Sequence, residues 1–239
     1  MLASVVHPAA PSAPGRAIPS APSAPSASPA HLALLQHCAA TVVEVQARYA
    51  QASISLAEAA LAGARQFVEW AHHPRQDWVD ARHGTRFFYH AHAAEERMPG
   101  EHGHFHLFVP ARTPGGPGFS HLAGLSLDAR GLPLRWFTTN RWVTGEQWAD
   151  ADTLVAALPR LQWQARGRLG PVGRWLGAMV QLHTDELTRL LHARDARLQA
   201  LVAAQQRSPE ALWDDRSLHI LTQCPIDLLA RLAAVDADA

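Results

Sequence analysis

Between Arg86 and Val109 the chain reads RFFYHAHAAEERMPGEHGHFHLFV, with histidine at alternate positions on both sides of a polar centre punctuated by Pro99-Gly100. A period of two belongs to a strand, where alternate side chains share a face. His90 and His92 therefore point the same way, as do His102, His104 and His106. The intervening Phe105, Leu107 and Val109 suit a core. If residues 93–101 form the loop of a hairpin spanning 86–109, His90 lies opposite His104 and His92 opposite His102. Cross-strand Cβ atoms would then be roughly 5 Å apart. A slip of one residue would send the two groups to opposite faces, so register decides whether these histidines meet.

The flanking sequence changes period. Residues 1–28 form an Ala/Pro/Ser-rich tail, with seven of the 17 prolines between positions 8 and 29, a composition expected to stay disordered. A single domain over 29–235 is expected after it. Ser28-Pro29 reads as a helix cap followed by proline at the first helical position, with a helix to about Arg48. Ser55-Leu56-Ala57-Glu58 is a capping box, opening a helix expected to reach Ala71 with Leu56, Ala60, Leu61, Phe67 and Trp70 at helical spacing. Arg86 to His92, His102 to Val109, Phe119 to Leu127 and Leu134 to Val143 read as strands. Asp128 to Gly131 forms the tight turn between the last two. From Gly170-Pro171 a long apolar pattern runs through Leu201, as one helix or as two broken near Thr184. Cys224-Pro225 precedes a final helix. The expected fold is α+β: a four-stranded antiparallel meander flanked by N-terminal and C-terminal helices.

Composition removes several function classes. All 21 Lys+Arg residues are arginine, so Schiff-base chemistry and a phosphate-loop lysine are excluded. Two cysteines, Cys38 and Cys224, cannot build a four-thiolate zinc site or an iron–sulfur cluster. A formal net charge of zero argues against nucleic acid as a partner. No apolar run approaches the length of a membrane span. Met1 to Val6 lacks a basic leader region, which makes the cytoplasm the expected location. Oligomeric state is not legible.

The chemistry concentrates in the histidines. Five of the 15 fall between His90 and His106. Two or three imidazoles with one carboxylate suit Zn²⁺ or non-haem Fe²⁺ with an open coordination position, and such a site activates water or binds oxygen. The candidate metal residues are His90, His92, Glu96, His102, His104, His106 and His121, the last as a fourth ligand or a group behind the ligands. Glu95 and Glu101 share the loop and could supply a carboxylate. The expected function is divalent-metal binding, with a metal-dependent oxygenase or hydrolase as its enzymatic form. Two other roles fit the same stripe: a polar sheet face lining a cleft for a small-molecule ligand, and a pH sensor, since neutral imidazoles charge below about pH 6.5. Asn140 and Arg141, at the end of the last strand, are candidates for binding a carboxylate or phosphate ligand. Trp136, Trp142 and Trp148 are expected to pack in the core or against the sheet.

Three resemblances touch these residues. Gly84, His90, His92, Glu96 and Gly103 occupy every fixed position of the G-x5-HxH-x3-E-x6-G pattern, which resembles the cupin metal motif. That resemblance covers about 20 residues and implies His90, His92 and Glu96 as ligands. Cupins are all-β barrels in which a second motif supplies a further histidine. His102-Gly103-His104-Phe105-His106-Leu107-Phe108 is similar to the strand of the histidine-triad nucleotide hydrolases and transferases, which implies His104 as the catalytic nucleophile. Gly103 replaces an apolar residue of that pattern, and His90 and His92 lie outside it. FYHAHAAEE, EHGHFHLFVP and TTNRWVTGE together resemble an uncharacterised bacterial domain family over most of the folded part, a resemblance that carries no function.

Overall fold

The computed structural model describes residues 16–17, 28–61, 63–64, 68–113 and 115–238. The alternating segments do form a meander: β3 (Arg86–His90), β4 (Gly103–Thr113), β5 (Gly116–Leu127) and β6 (Pro133–Thr139) pair antiparallel in sequence order. The sheet is wider than four strands, however. β2 (His73–Val79) joins the free edge of β3, and β7 (Ile220–Pro225) joins β6, giving six antiparallel strands. A two-residue β1 (Arg16–Ala17), from the Ala/Pro/Ser-rich segment, pairs in parallel with Thr222 and Gln223 of β7.

Both additions escape pattern reading for a physical reason. β2 carries Pro74 and charged residues, and its register shifts between His73 and Trp78. An outer strand tolerates proline and irregularity that a central one does not. β7 is six residues long and ends in proline, and its partner β6 lies some 80 residues earlier in the chain.

Among the described residues, eight α-helices complete the fold. Ser28 caps α1 (Pro29–Gln51) by accepting the His31 N–H. Ser55 caps α2 by accepting the Glu58 N–H, but α2 spans only Leu56–Ala60 and does not reach Ala71. Gly63 and Trp70 take left-handed backbone angles, φ +80° and +65°, incompatible with continued right-handed helix. The chain then turns into β2. Phe67, expected on that helix, lies outside the described residues. Asn140 ends the last meander strand earlier than Val143 and caps α3 (Arg141–Thr144). α4 (Ala151–Ala157) follows. The long apolar pattern is two helices, α5 (Gly170–Leu182) and α6 (Thr184–Gln205), broken at His183. α7 (Pro209–Trp213) and α8 (Leu228–Ala237) lie before and after β7.

Helices α1, α2, α4, α5, α6 and α8 contribute to a core on one face of the sheet. Phe87, Tyr89, Phe105, Leu107, Leu125 and Trp136 point from the strands into a core shared with Val42, Leu154, Trp175, Leu176 and Leu190. Phe105 meets Trp175 of α5 with ring centroids 6.4 Å apart. The Asp128–Gly131 turn is present, with Gly131 at φ +81° and its N–H bonded to the Asp128 carbonyl.

The opposite face carries His90, His104, His106 and Phe137. Phe137 lies so close to Gly124 that a Cβ there would stand 2.1 Å from the ring. Gly124→Ala is therefore expected to push the Phe137 ring off its seat and destabilise the fold by about 1–3 kcal/mol. That corresponds to a fall of roughly 2–12 °C in thermal midpoint for a chain of this size. An unchanged midpoint in calorimetry would contradict this packing.

Candidate metal centre

The register is even. His90 pairs with His104, and Phe88 with His106, across β3 and β4. Three imidazoles consequently converge: His90, His104 and His106 each offer one ring nitrogen, all within 4.8 Å of one another. The His90 and His104 Nε2 atoms are 2.8 Å apart. This group can hold a metal ion.

Position 121 reaches the same face by a bulge. Leu107 pairs with Ala123 but Phe108 with His121, so Leu122 is an extra residue on β5. A bulge inverts the alternation beyond it. Leu122 and Ala123 both join the core, and His121 emerges beside His106, with its Nε2 2.9 Å from His106 Nδ1. Its own Nδ1 is 3.2 Å from the Thr139 hydroxyl.

Glu101 supplies the carboxylate. It accepts a 2.7 Å hydrogen bond from His104 Nδ1, and its other oxygen accepts from Ser126 at 2.8 Å and from Arg135 at 3.0 Å. With the proton held on Nδ1, the His104 Nε2 lone pair is directed at His90 and the centre of the cluster. Metal-binding histidines are characteristically oriented by such a carboxylate on the far ring nitrogen. Aromatic rings wall the site: Phe137 stands edge-on to His104 at 5.2 Å, and Phe88 lies 5.0 Å from His106.

The electrostatics keep His90, His106 and His121 neutral. Burial, then the neighbouring His104 and His92, push His90 down to about 2. Burial likewise holds His106 well below its ordinary value. Burial and the Arg194 charge lower His121 to about 3. Burial opposes ionisation of Glu101, but the bonds from His104 and Ser126 and the charge of Arg135 outweigh it and hold the carboxylate at about 2. Neutral imidazole is the form that ligates metals.

Of the other candidate residues, one stays with the cluster and the rest fall elsewhere. His92 lies just past the end of β3 but stays with the cluster, its ring centroid 5.1 Å from those of both His90 and His104. His102 leaves the expected array. β4 begins at Gly103, and His102 turns to bond the Tyr89 hydroxyl at 2.8 Å, on the core side. Gly103 makes room for that hydroxyl: a Cβ there would sit 2.7 Å from it and 2.6 Å from the His90 carbonyl oxygen. Glu96 is exposed on a 3₁₀ turn, Ala94–Glu96. Asn140 is buried, donating to the Leu212 and Asp215 carbonyls. Arg141 forms a two-pronged ion pair with Asp214 at 2.5 and 2.6 Å. Both side chains tie α3 to the α7 region.

Glu146, absent from the sequence candidates, is buried beneath His121 and accepts its backbone N–H. Burial raises its carboxyl to about 8. No local pattern marks it; its neighbour Gln147, bonded to the Phe119 carbonyl and the Ser120 hydroxyl of β5, brings it there.

The chain belongs to a family described as a domain of unknown function, DUF6969, whose model matches residues 36–226. No curated protein and no solved structure matches the chain significantly. Among the described residues no helix is long and apolar enough to cross a membrane.

The metal-free protein is expected to weaken in mild acid. His90 and His121 have folded values of about 2 and about 3 against an ordinary 6.5, and His106 shifts the same way. The unfolded chain therefore binds more protons as pH falls below about 6.5, costing about 1 kcal/mol per pH unit for each buried histidine. Glu146, raised in the folded state, opposes this with one proton, gaining stability as pH falls through about 8 towards 4.3. Urea unfolding at about pH 7 and about pH 5 should show a clear loss of midpoint. A flat profile would contradict burial of neutral rings.

Proposed function

We propose that this protein binds a divalent transition metal, Zn²⁺ or Fe²⁺, through His90, His104 and His106, and uses it in metal-dependent enzymatic chemistry of hydrolase or oxygenase type. One observation carries the proposal: three buried imidazoles converge within 4.8 Å, and a buried glutamate locks the tautomer of one of them. A pocket of lone pairs this dense is electrostatically unfavourable unless a hydrogen or a cation sits among them. Three histidines leave an open position on a tetrahedral metal, where bound water becomes acidic enough to act as a nucleophile near neutral pH.

The chain's own residues set the terms of that chemistry. Glu101 orients His104, and His121 approaches His106 from behind. Phe137 and Phe88 exclude water from the flanks. The all-imidazole set favours Zn²⁺. Fe²⁺ would require a carboxylate in the first shell for the common two-histidine arrangement, and Glu101 is already engaged with His104, Ser126 and Arg135.

Elemental analysis of untagged protein purified without chelator tests this. The native chain should carry stoichiometric metal, and His90→Ala and His104→Ala should carry none while remaining folded by circular dichroism. Glu101→Gln should keep the site but bind metal roughly 10- to 100-fold more weakly in competition with a chromogenic chelator. Absence of metal on purification, and again after adding Zn²⁺ or Fe²⁺, would sink the proposal. Nucleotide hydrolysis that survives EDTA and disappears in His104→Gln would instead support a histidine-triad type of chemistry.

A further inference from the structure

Exposure around the cluster is graded. His106, His104 and His90 are 2%, 5% and 9% exposed, whereas Trp70, beyond half-buried His92, is 52% exposed. On the far side the cluster is closed by His121, 1% exposed, and by the buried Glu101 carboxylate. A molecule arriving from solvent therefore meets Trp70 and His92 before it reaches the imidazole nitrogens.

Trp70 is placed there at a conformational cost. Its φ of +65° lies in a region that bulky side chains seldom occupy. Strain of this kind concentrates at functional sites. Its N–H is tied to the Ala91 carbonyl at 2.9 Å, between His90 and His92. The indole stacks on the His92 ring, with centroids 4.1 Å apart and planes 22° apart, and stands edge-on to His90 at 6.5 Å. The neighbouring Val68 is also exposed, at 52%. His72 lies flat against Phe88 at 3.7 Å and edge-on to His90 at 5.7 Å. An aromatic wall thus runs without interruption from solvent to the proposed ligands.

We infer that Trp70 is a specificity-determining residue, a stacking surface that selects a planar aromatic substrate bearing an oxygen donor for the metal. The inference rests on the proposed metal centre. Offset stacking on an indole orients a flat partner in a way that contact with an aliphatic group does not. One indole face is covered by His92, so the exposed face is the one open to a flat partner, and the indole centroid lies 6.5 Å from that of His90. Aliphatic substrates with the same oxygen donor would bind the metal but forgo the stack.

The test compares two hydroxamates that offer the same donor to a metal. Benzohydroxamate and acetohydroxamate are titrated calorimetrically into the zinc-loaded full chain, as native protein, Trp70→Phe and Trp70→Leu. Native protein should prefer the aromatic probe by roughly 3- to 10-fold, a factor typical of one aromatic pair. That preference should survive in Trp70→Phe and vanish in Trp70→Leu. Acetohydroxamate affinity and zinc content should stay constant across all three. An equal preference in native protein and Trp70→Leu, both loaded with zinc, overturns the inference and leaves the metal centre standing. So does failure of both probes to bind the zinc-loaded native chain, or loss of zinc from Trp70→Leu, which would mark a structural role. Failure of the native chain to take up zinc overturns both.

Discussion

The cross-strand pair His90–His104 is the constraint on which the rest of the histidine face depends. With Nε2 atoms 2.8 Å apart, these rings leave little freedom to the neighbours. One register of β3 against β4 satisfies them, and the same register delivers Phe87, Tyr89, Phe105 and Leu107 to the helices. Because strand side chains alternate strictly, the apolar core and the imidazole cluster are two readings of a single alignment. Burial of the four aromatic and aliphatic side chains supplies the free energy that holds the two imidazoles against each other. The polar face is therefore carried by the apolar one.

Glu101 extends that logic. Its carboxylate is buried, and a buried charge without partners would be expelled or protonated. Hydrogen bonds from His104, Ser126 and Arg135 secure it. Each comes from a different strand or strand end, so the ion ties β4, β5 and β6 together beneath the cluster. A negative charge fixed there also makes the histidine centre a favourable place for a cation.

Much of this is legible in the amino-acid sequence. The alternation of residues 86–109, the Asp128–Gly131 turn and the cap at Ser28 are local signals, and they mark the meander, its tightest turn and the start of α1. The alternation alone leaves the register open, and the pairing of His90 with His104 makes it even. The rest depends on distant partners. β2 and β7 are outer strands whose pairing, rather than their pattern, makes them strands. The helix expected through Trp70 stops at Ala60 because tertiary contacts place that segment beside His92. His102 departs from the side its alternation predicts because the space left by Gly103 is filled by the Tyr89 hydroxyl, to which it bonds. The carboxylate at the cluster is Glu101 and not Glu96, a distinction between two loop residues that spacing alone does not make.

The bulge at Leu122 has a consequence for how this sheet can vary. Strand ends and connecting loops accept changes of length, since they only move the ends of pairings. The stretch from His121 to Gly124 has no such latitude. Its residue count acts as a parity bit: an odd number of insertions or deletions there would exchange the two faces of the strand beyond it, sending His121 into the helix layer and its apolar neighbours among the imidazoles. The meander would still pair, strand for strand, and the cluster would lose His121.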